Sequence, residues 1–184
     1  MILSRNTRRL IALVSCLPVF FILLAASATA RDIHVSPGES LQALLRGGEV
    51  AAGDSLVLQD GNYAQLRLHN VRFSAPVELR AATPGGAVFD HIFINGSSNL
   101  VLRGFGVWPA QPSHGHKELV LVNKHSENIR LVDLDIRGSR SAPDRYMNVE
   151  SPQDWRDEGG GMSGVRLYGP RNALSSSRIT AVGF

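Results

Sequence analysis

The side chains best able to do chemistry crowd into one stretch, the long segment between Ile136 and Val165. It holds Arg137, Arg140, Asp144, Arg145, Tyr146, Asn148, Glu150, Asp154, Trp155, Arg156, Asp157 and Glu158, and then Gly159-Gly160-Gly161. Guanidinium groups grip carboxylates through two parallel N–H bonds, so Arg145 and Arg156 suit an anionic ligand. The rings of Tyr146 and Trp155 offer flat apolar surfaces on which a ligand can lie. Asp157 and Glu158 are adjacent hard-oxygen donors of the kind calcium takes. The competing reading is a solvated loop whose charges pair with one another and whose Trp155 packs on the protein wall.

Three smaller clusters stand outside that stretch. Lys124, with His125 beside it, is a candidate general base, since a lysine acts as one once burial or neighbouring cations depress its pKa. The alternative is a surface lysine, as for Lys117. His114 and His116 alternate, but two imidazoles make an incomplete metal set, and Pro112, Ser113 and Gly115 around them read as a loop. Asp133 and Asp135 are spaced to share one face of a strand, the arrangement of paired acid–base carboxylates. Leu134 between them breaks the alternation and predicts a bend and an outward acidic edge. Asn99 and Asn128 are read as structural, because asparagine tolerates left-handed backbone and stacks into ladders.

The elements that must position these groups begin with a helix. Ser36 is a cap, Pro37 fits the first turn and Glu39 completes a capping box. Leu41, Leu44 and Leu45 form one stripe, and Gly47 and Gly48 stop the helix. From Asp54 the period becomes two. Apolar pairs recur at Leu56/Leu58, Leu66/Leu68, Val77/Leu79, Ile92/Ile94, Leu100/Leu102, Leu119/Leu121, Ile129/Leu131 and Val165/Leu167, each bounded by turn residues. Leu100, Leu102, Phe105 and Val107 map onto Ile129, Leu131, Leu134 and Ile136 at a fixed offset, as does Asn99 onto Asn128. Leu174 and Ile179 continue the series. Backwards, Val77 and Leu79 align with Leu100 and Leu102, and Leu56 and Leu58 with Val77 and Leu79. A constant strand pattern with variable insertions is solenoid behaviour. The expected fold is all-β, a right-handed parallel β-helix with a short N-terminal capping α-helix. A β-sandwich with an Asn95-Gly96 hairpin is the alternative.

The first thirty residues are expected to be a signal peptide. Arg5, Arg8 and Arg9 precede the apolar run Leu10 to Ala26, and Ala28-Thr29-Ala30 supplies the small residues of a cleavage site. An uncleaved anchor and a lipoprotein box at Cys16 are the competing readings. Three of the 19 basic residues and none of the 16 acidic ones lie in this leader, so residues 31–184 are formally neutral. The basic balance is therefore no argument for nucleic acid. Cys16 is the single cysteine, which removes disulfides, Cys-ligated zinc and a Cys nucleophile from residues 31–184. A secreted or periplasmic monomer without a stable membrane span is expected.

Three segments bear a family likeness. SPGESLQALL with AGDSLVLQDGNY resembles the capping helix and first coil of the pectate-lyase-like superfamily of right-handed parallel β-helices. APVELRAATPGGAVFD is similar to the second coil of its chondroitinase B and alginate lyase group, and INGSSNLVLRGFGV to a strand–turn–strand corner of many members. The resemblance covers residues 32–184 and implies a carbohydrate-active protein acting on an acidic polysaccharide, a uronate-polymer lyase first. A non-catalytic glycan-binding or structural β-helix and a uronan epimerase are the alternatives, because one scaffold carries several activities. In a lyase reading Arg145 and Lys124 are the catalytic candidates, Tyr146, Trp155 and Arg156 contact sugar, and Asp157 and Glu158 hold calcium. No residue matches the group's catalytic motif, and the coil pattern runs up to Phe184, so the β-helix is expected to be incomplete at its C-terminal end.

Overall fold

Strands of this length cannot bury a face alone and must stack. The computed structural model, which describes residues 30–110, 118–138 and 163–180, shows them stacked in three sheets. Six strands form the first sheet: β1 (Asp32–Val35), β2 (Ser55–Leu58), β5 (Arg72–Ala81), β8 (Ser98–Arg103), β11 (Glu127–Val132) and β14 (Ala173–Ser175). Five short ones form the second: β3 (Gly61–Asn62), β6 (Ala87–Phe89), β9 (Gly106–Val107), β12 (Asp135–Arg137) and β15 (Arg178–Thr180). The third holds β4 (Gln65–His69), β7 (His91–Asn95), β10 (Glu118–Val122) and β13 (Ser163–Leu167). From β2 onward the chain visits the three sheets in the same order, coil after coil, for about 4 turns. Every strand pairing among the described residues is parallel. The chain is thus the parallel β-helix that its sequence predicts, and crossovers between parallel strands turn right-handed.

Most of the expected register holds. Leu100 and Leu102 sit under Ile129 and Leu131, Val107 under Ile136, and Leu131 and Ile136 under Leu174 and Ile179. Val77 and Leu79 pair with Leu100 and Leu102. The first step differs: Leu56 pairs with Leu79 and Leu58 with Ala81, two residues from the expected partners. A slip of two keeps every side chain on its face, so the hydrophobic pattern is blind to it. In β10 the phase is off by one. Val120 and Val122, not Leu119 and Leu121, stack on Ile92 and Ile94, which turns Leu121 outward.

The inward columns form one core. Val77, Leu79, Leu100, Leu102, Ile129 and Leu131 are fully buried, as are Phe89 and Phe105, whose rings meet edge-on with centroids 5.1 Å apart. At the corners Asn99 and Asn128 adopt left-handed φ of 60° and 52°, and Asn128 Nδ2 donates to Asn99 Oδ1 at 2.5 Å. Beside this ladder runs a second one that the sequence does not advertise. Ser97 and Ser126 are wholly buried; Ser97 Oγ accepts from Val71 N–H (3.2 Å) and Ser126 Oγ from Ser97 N–H (3.4 Å).

The capping helix α1 (Leu41–Arg46) starts later than Ser36. Glu39 does reach back to the Ser36 N–H at 2.5 Å, but Gly38 has φ +96°, which no helix accommodates, and Ser40 becomes the cap of Ala43 N–H. Leu41 and Leu45 close the core from below. Gln42 acts as a strand substitute. Its Nε2 donates to the His69 carbonyl (3.0 Å) and its Oε1 accepts from the His69 N–H (2.9 Å), so the outer edge of β4 is bonded as a neighbouring rung would bond it. Gln42→Ala leaves both groups of His69 to water and is expected to lower stability by about 1–2 kcal/mol in equilibrium unfolding. An unchanged unfolding midpoint would show that the edge needs no cap.

Candidate functional site

A strand in a coil has one face in the core and one in solvent, so outward residues at matching positions form columns along the axis. On the four-stranded sheet one such column is Arg67, Phe93, Leu121 and Arg166, set by the pairings of β4, β7, β10 and β13. The middle pair is apolar and half-buried, and both ends are cationic and exposed. Two hollows lie against this face. One, of about 140 Å³, is lined by Gln65, Arg67, His91, Phe93, Glu118 and Leu121. The other, of about 360 Å³, lies between α1 and β4 and is lined by Glu39, Gln42, Tyr63, Arg67 and His69 among others. Gln65, Leu66 and Arg67 belong to both, so Arg67 stands where they meet.

The two arginines differ in their engagements. Arg166 Nη1 lies 2.6 Å from Glu118 Oε1, a carboxylate that is largely buried. Arg67 donates through Nε to the neutral amide oxygen of Gln65 (2.9 Å) and has no carboxylate partner among the described residues. The imidazole of His69 leans on Phe93 with centroids 5.3 Å apart, which fixes the ring at the trough wall. Just past β13, Tyr168 is 44% exposed. Elsewhere outward charges are coupled to each other: Arg80 to Asp32 (2.7 Å), and Arg103 to Glu78 (2.7 Å) and Asp133 (3.2 Å).

Of the residues singled out in the sequence, Lys124 is exposed at the corner between β10 and β11, next to exposed His125, and lines neither hollow. Arg145, Tyr146, Trp155, Arg156, Asp157 and Glu158 lie outside the described residues, as do His114, His116 and Lys117. Asp133 and Asp135 are not a catalytic pair. Asp133 turns the corner at φ +53° and meets Arg103, while Asp135 meets Arg137 (2.5 Å) and Arg178 (3.0 Å) on the five-stranded sheet. Beside them Arg137 stacks on the Trp108 ring at 4.4 Å, and Trp108 Nε1 donates to the Asp135 carbonyl. Among the described residues no three His, Asp or Glu side chains converge as a metal cage.

No protein-family model matches the chain, and no curated protein matches it. A solved structure does. The chain resembles a family 6 polysaccharide lyase. That structure, of a mannuronic acid specific enzyme from human gut microbiota, matches with a TM-score of 0.59 and 21% identity over 83% of this chain and 35% of the lyase. At that identity the likeness is one of fold, and the chain spans about a third of the lyase's length. The β-helix resemblance read in the sequence is thereby supported at the level of architecture.

Proposed function

We propose that the protein is an exported, carbohydrate-active β-helix that acts on an acidic polysaccharide as a uronate-polymer lyase of the alginate lyase and chondroitinase B kind. The observation that carries this reading is the outward column of Arg67, Phe93, Leu121 and Arg166 on a sheet bordered by hollows. A linear polymer laid along the axis meets one rung after another. Its carboxylates meet guanidinium groups at the ends of the column, and the apolar faces of its rings meet Phe93 and Leu121 between them. The fold likeness to a polysaccharide lyase supports the same reading.

A uronate lyase must neutralise a carboxylate, remove the proton beside it and protonate the leaving oxygen. The column supplies the first requirement. For proton transfer the sequence offers Lys124 and Arg145, with Tyr146, Trp155 and Arg156 as further sugar contacts and Asp157 and Glu158 as calcium ligands. A second reading, a glycan-binding module, draws on the ion pair between Arg166 and the trough carboxylate Glu118, which is already occupied by a guanidinium. Incubation of the secreted protein with alginate, pectate and chondroitin separates the two. A rise in near-ultraviolet absorbance from unsaturated uronate is expected with one of them. Retention on the polymer without that rise would replace the lyase by the binding module, and altered sugar stereochemistry without cleavage would replace it by an epimerase.

A further inference from the structure

Arg31 is held through its backbone N–H, its carbonyl and one guanidinium nitrogen. Its backbone N–H donates to Asp54 Oδ1 (3.1 Å) and its carbonyl accepts from the Ser55 N–H (2.8 Å). Its guanidinium Nη2 reaches both Asp54 Oδ2 (2.7 Å) and the Glu49 carbonyl (2.8 Å). Asp54 is 2% exposed, and Oδ2 also accepts from the Ala51 N–H (2.9 Å). Carboxylates are rarely so buried unless paired. One residue earlier, Ala30 is exposed and belongs to no strand. The Ala30–Arg31 bond is also the one that Ala28-Thr29-Ala30 marks for signal peptidase.

We infer that Arg31 is the first residue of the mature protein and that its freed α-amino group forms an ion pair with the buried carboxylate of Asp54, so that removal of the leader completes the first coil. Hydrolysis adds one water across the amide: Ala30 leaves as a carboxylate on the leader, and the Arg31 nitrogen, with two more protons, becomes an ammonium. Before cleavage this nitrogen gives Asp54 a hydrogen bond from a neutral amide. Afterwards both partners are charged, and charge-assisted bonds are roughly twice as strong as neutral ones. Asp54 is buried and Arg31 is exposed, so solvent screens the pair in part.

The charged groups around this nitrogen are Asp54 before β2, the Arg31 guanidinium, Glu49 after α1, Asp32 of β1 with its partner Arg80 of β5, and Glu78 of β5 with its partner Arg103. Asp54, bonded first by the Arg31 side chain and next by the Ala51 N–H, is held down to about 2. Its contribution is complete above the ordinary carboxylate range near 3.9 and fades as pH falls through about 2. The ammonium behaves oppositely. Asp54 raises its folded pKa, so the pair is intact below the ordinary α-amino value of about 7.7 and is lost as pH rises through the raised value.

Intact mass and N-terminal sequencing of the secreted protein should give Arg31 as the first residue; any other start overturns the inference. The Arg31 form should also melt about 2–4 °C above a form that retains Ala30 at pH 6, with the gap closing by about pH 10. Equal melting at pH 6 overturns it. Asp54→Asn should abolish the gap. Where that variant fails to fold, an NMR titration of the Arg31 amine decides: a pKa above the ordinary α-amino range supports the pair, and an ordinary one refutes it. None of these outcomes depends on the substrate.

Discussion

Phe105→Ala is expected to destabilise the protein by about 3–5 kcal/mol and to lower its unfolding temperature by roughly 10 °C. Phe105 lies in the turn between β8 and β9, has no exposed surface, and meets Phe89 of the preceding coil edge-on. In the next coil its place is taken by Leu134, which is 2% exposed. A cavity in a globular core is partly refilled by inward movement of its walls. In a solenoid the walls are rungs held at about 4.8 Å by backbone hydrogen bonds, so they have little freedom to close in. Ile179→Ala is the control. Ile179 occupies an inward column but is 40% exposed, so its truncation should cost about 1 kcal/mol or less. Thermal and urea unfolding of the two variants measure the contrast. Equal losses would mean that Phe89 and Phe105 are not the packed centre of the coil.

The same columns explain what was readable in the sequence. Inward positions must be apolar in every coil, so offsets linking Leu100, Ile129 and their partners can be found by alignment alone. The slip at Leu56 could not be seen because a two-residue shift conserves facing. The error at β10 has a different cause. Leu119-Val120-Leu121-Val122 is a run of four apolar residues without alternation, and only the pairing with Ile92 and Ile94 selects its phase. The helix starts later than its sequence pattern because Ser36 to Glu39 satisfies a capping box by residue type, while Gly38 adopts a conformation that residue type does not reveal.

The candidate site was far less legible, for reasons in the same geometry. Outward positions carry no common residue type: one column holds Arg, Phe, Leu and Arg. The strands of this sheet are also separated by connections of unequal length, so Arg67 and Arg166 have no constant spacing to betray them. Arg166 shares its face with Leu121, which the alternating pattern groups with the buried Leu119. Composition is conspicuous in the charge-rich segment between Ile136 and Val165, whereas single arginines placed by register carry no compositional signal. The serine ladder escaped for a related reason: a buried Ser97 looks like any turn serine until the rung above it is known.

Arg67→Ala should weaken binding of an acidic polysaccharide by roughly 10–100-fold, and Arg166→Ala by less. The two arginines stand in one column with their backbones three rungs, and so roughly 14 Å, apart. A polymer carboxylate at Arg166 must compete with Glu118, already at 2.6 Å. At Arg67 it displaces water and at most the bond to a neutral amide. The stronger dependence on Arg67 thus follows from its partners, since the two side chains have the same intrinsic chemistry. Arg67→Lys keeps the charge but loses the planar fork, so it should recover only part of the affinity. Raising ionic strength should weaken the wild type more than Arg67→Ala, because one exposed contact fewer remains to be screened. Affinity for oligosaccharides of increasing length should climb until a chain spans both arginines and then level off. Binding that is equal in wild type and Arg67→Ala, with circular dichroism unchanged, would remove this column from the site. The lyase reading would then have to rest on side chains elsewhere in the protein.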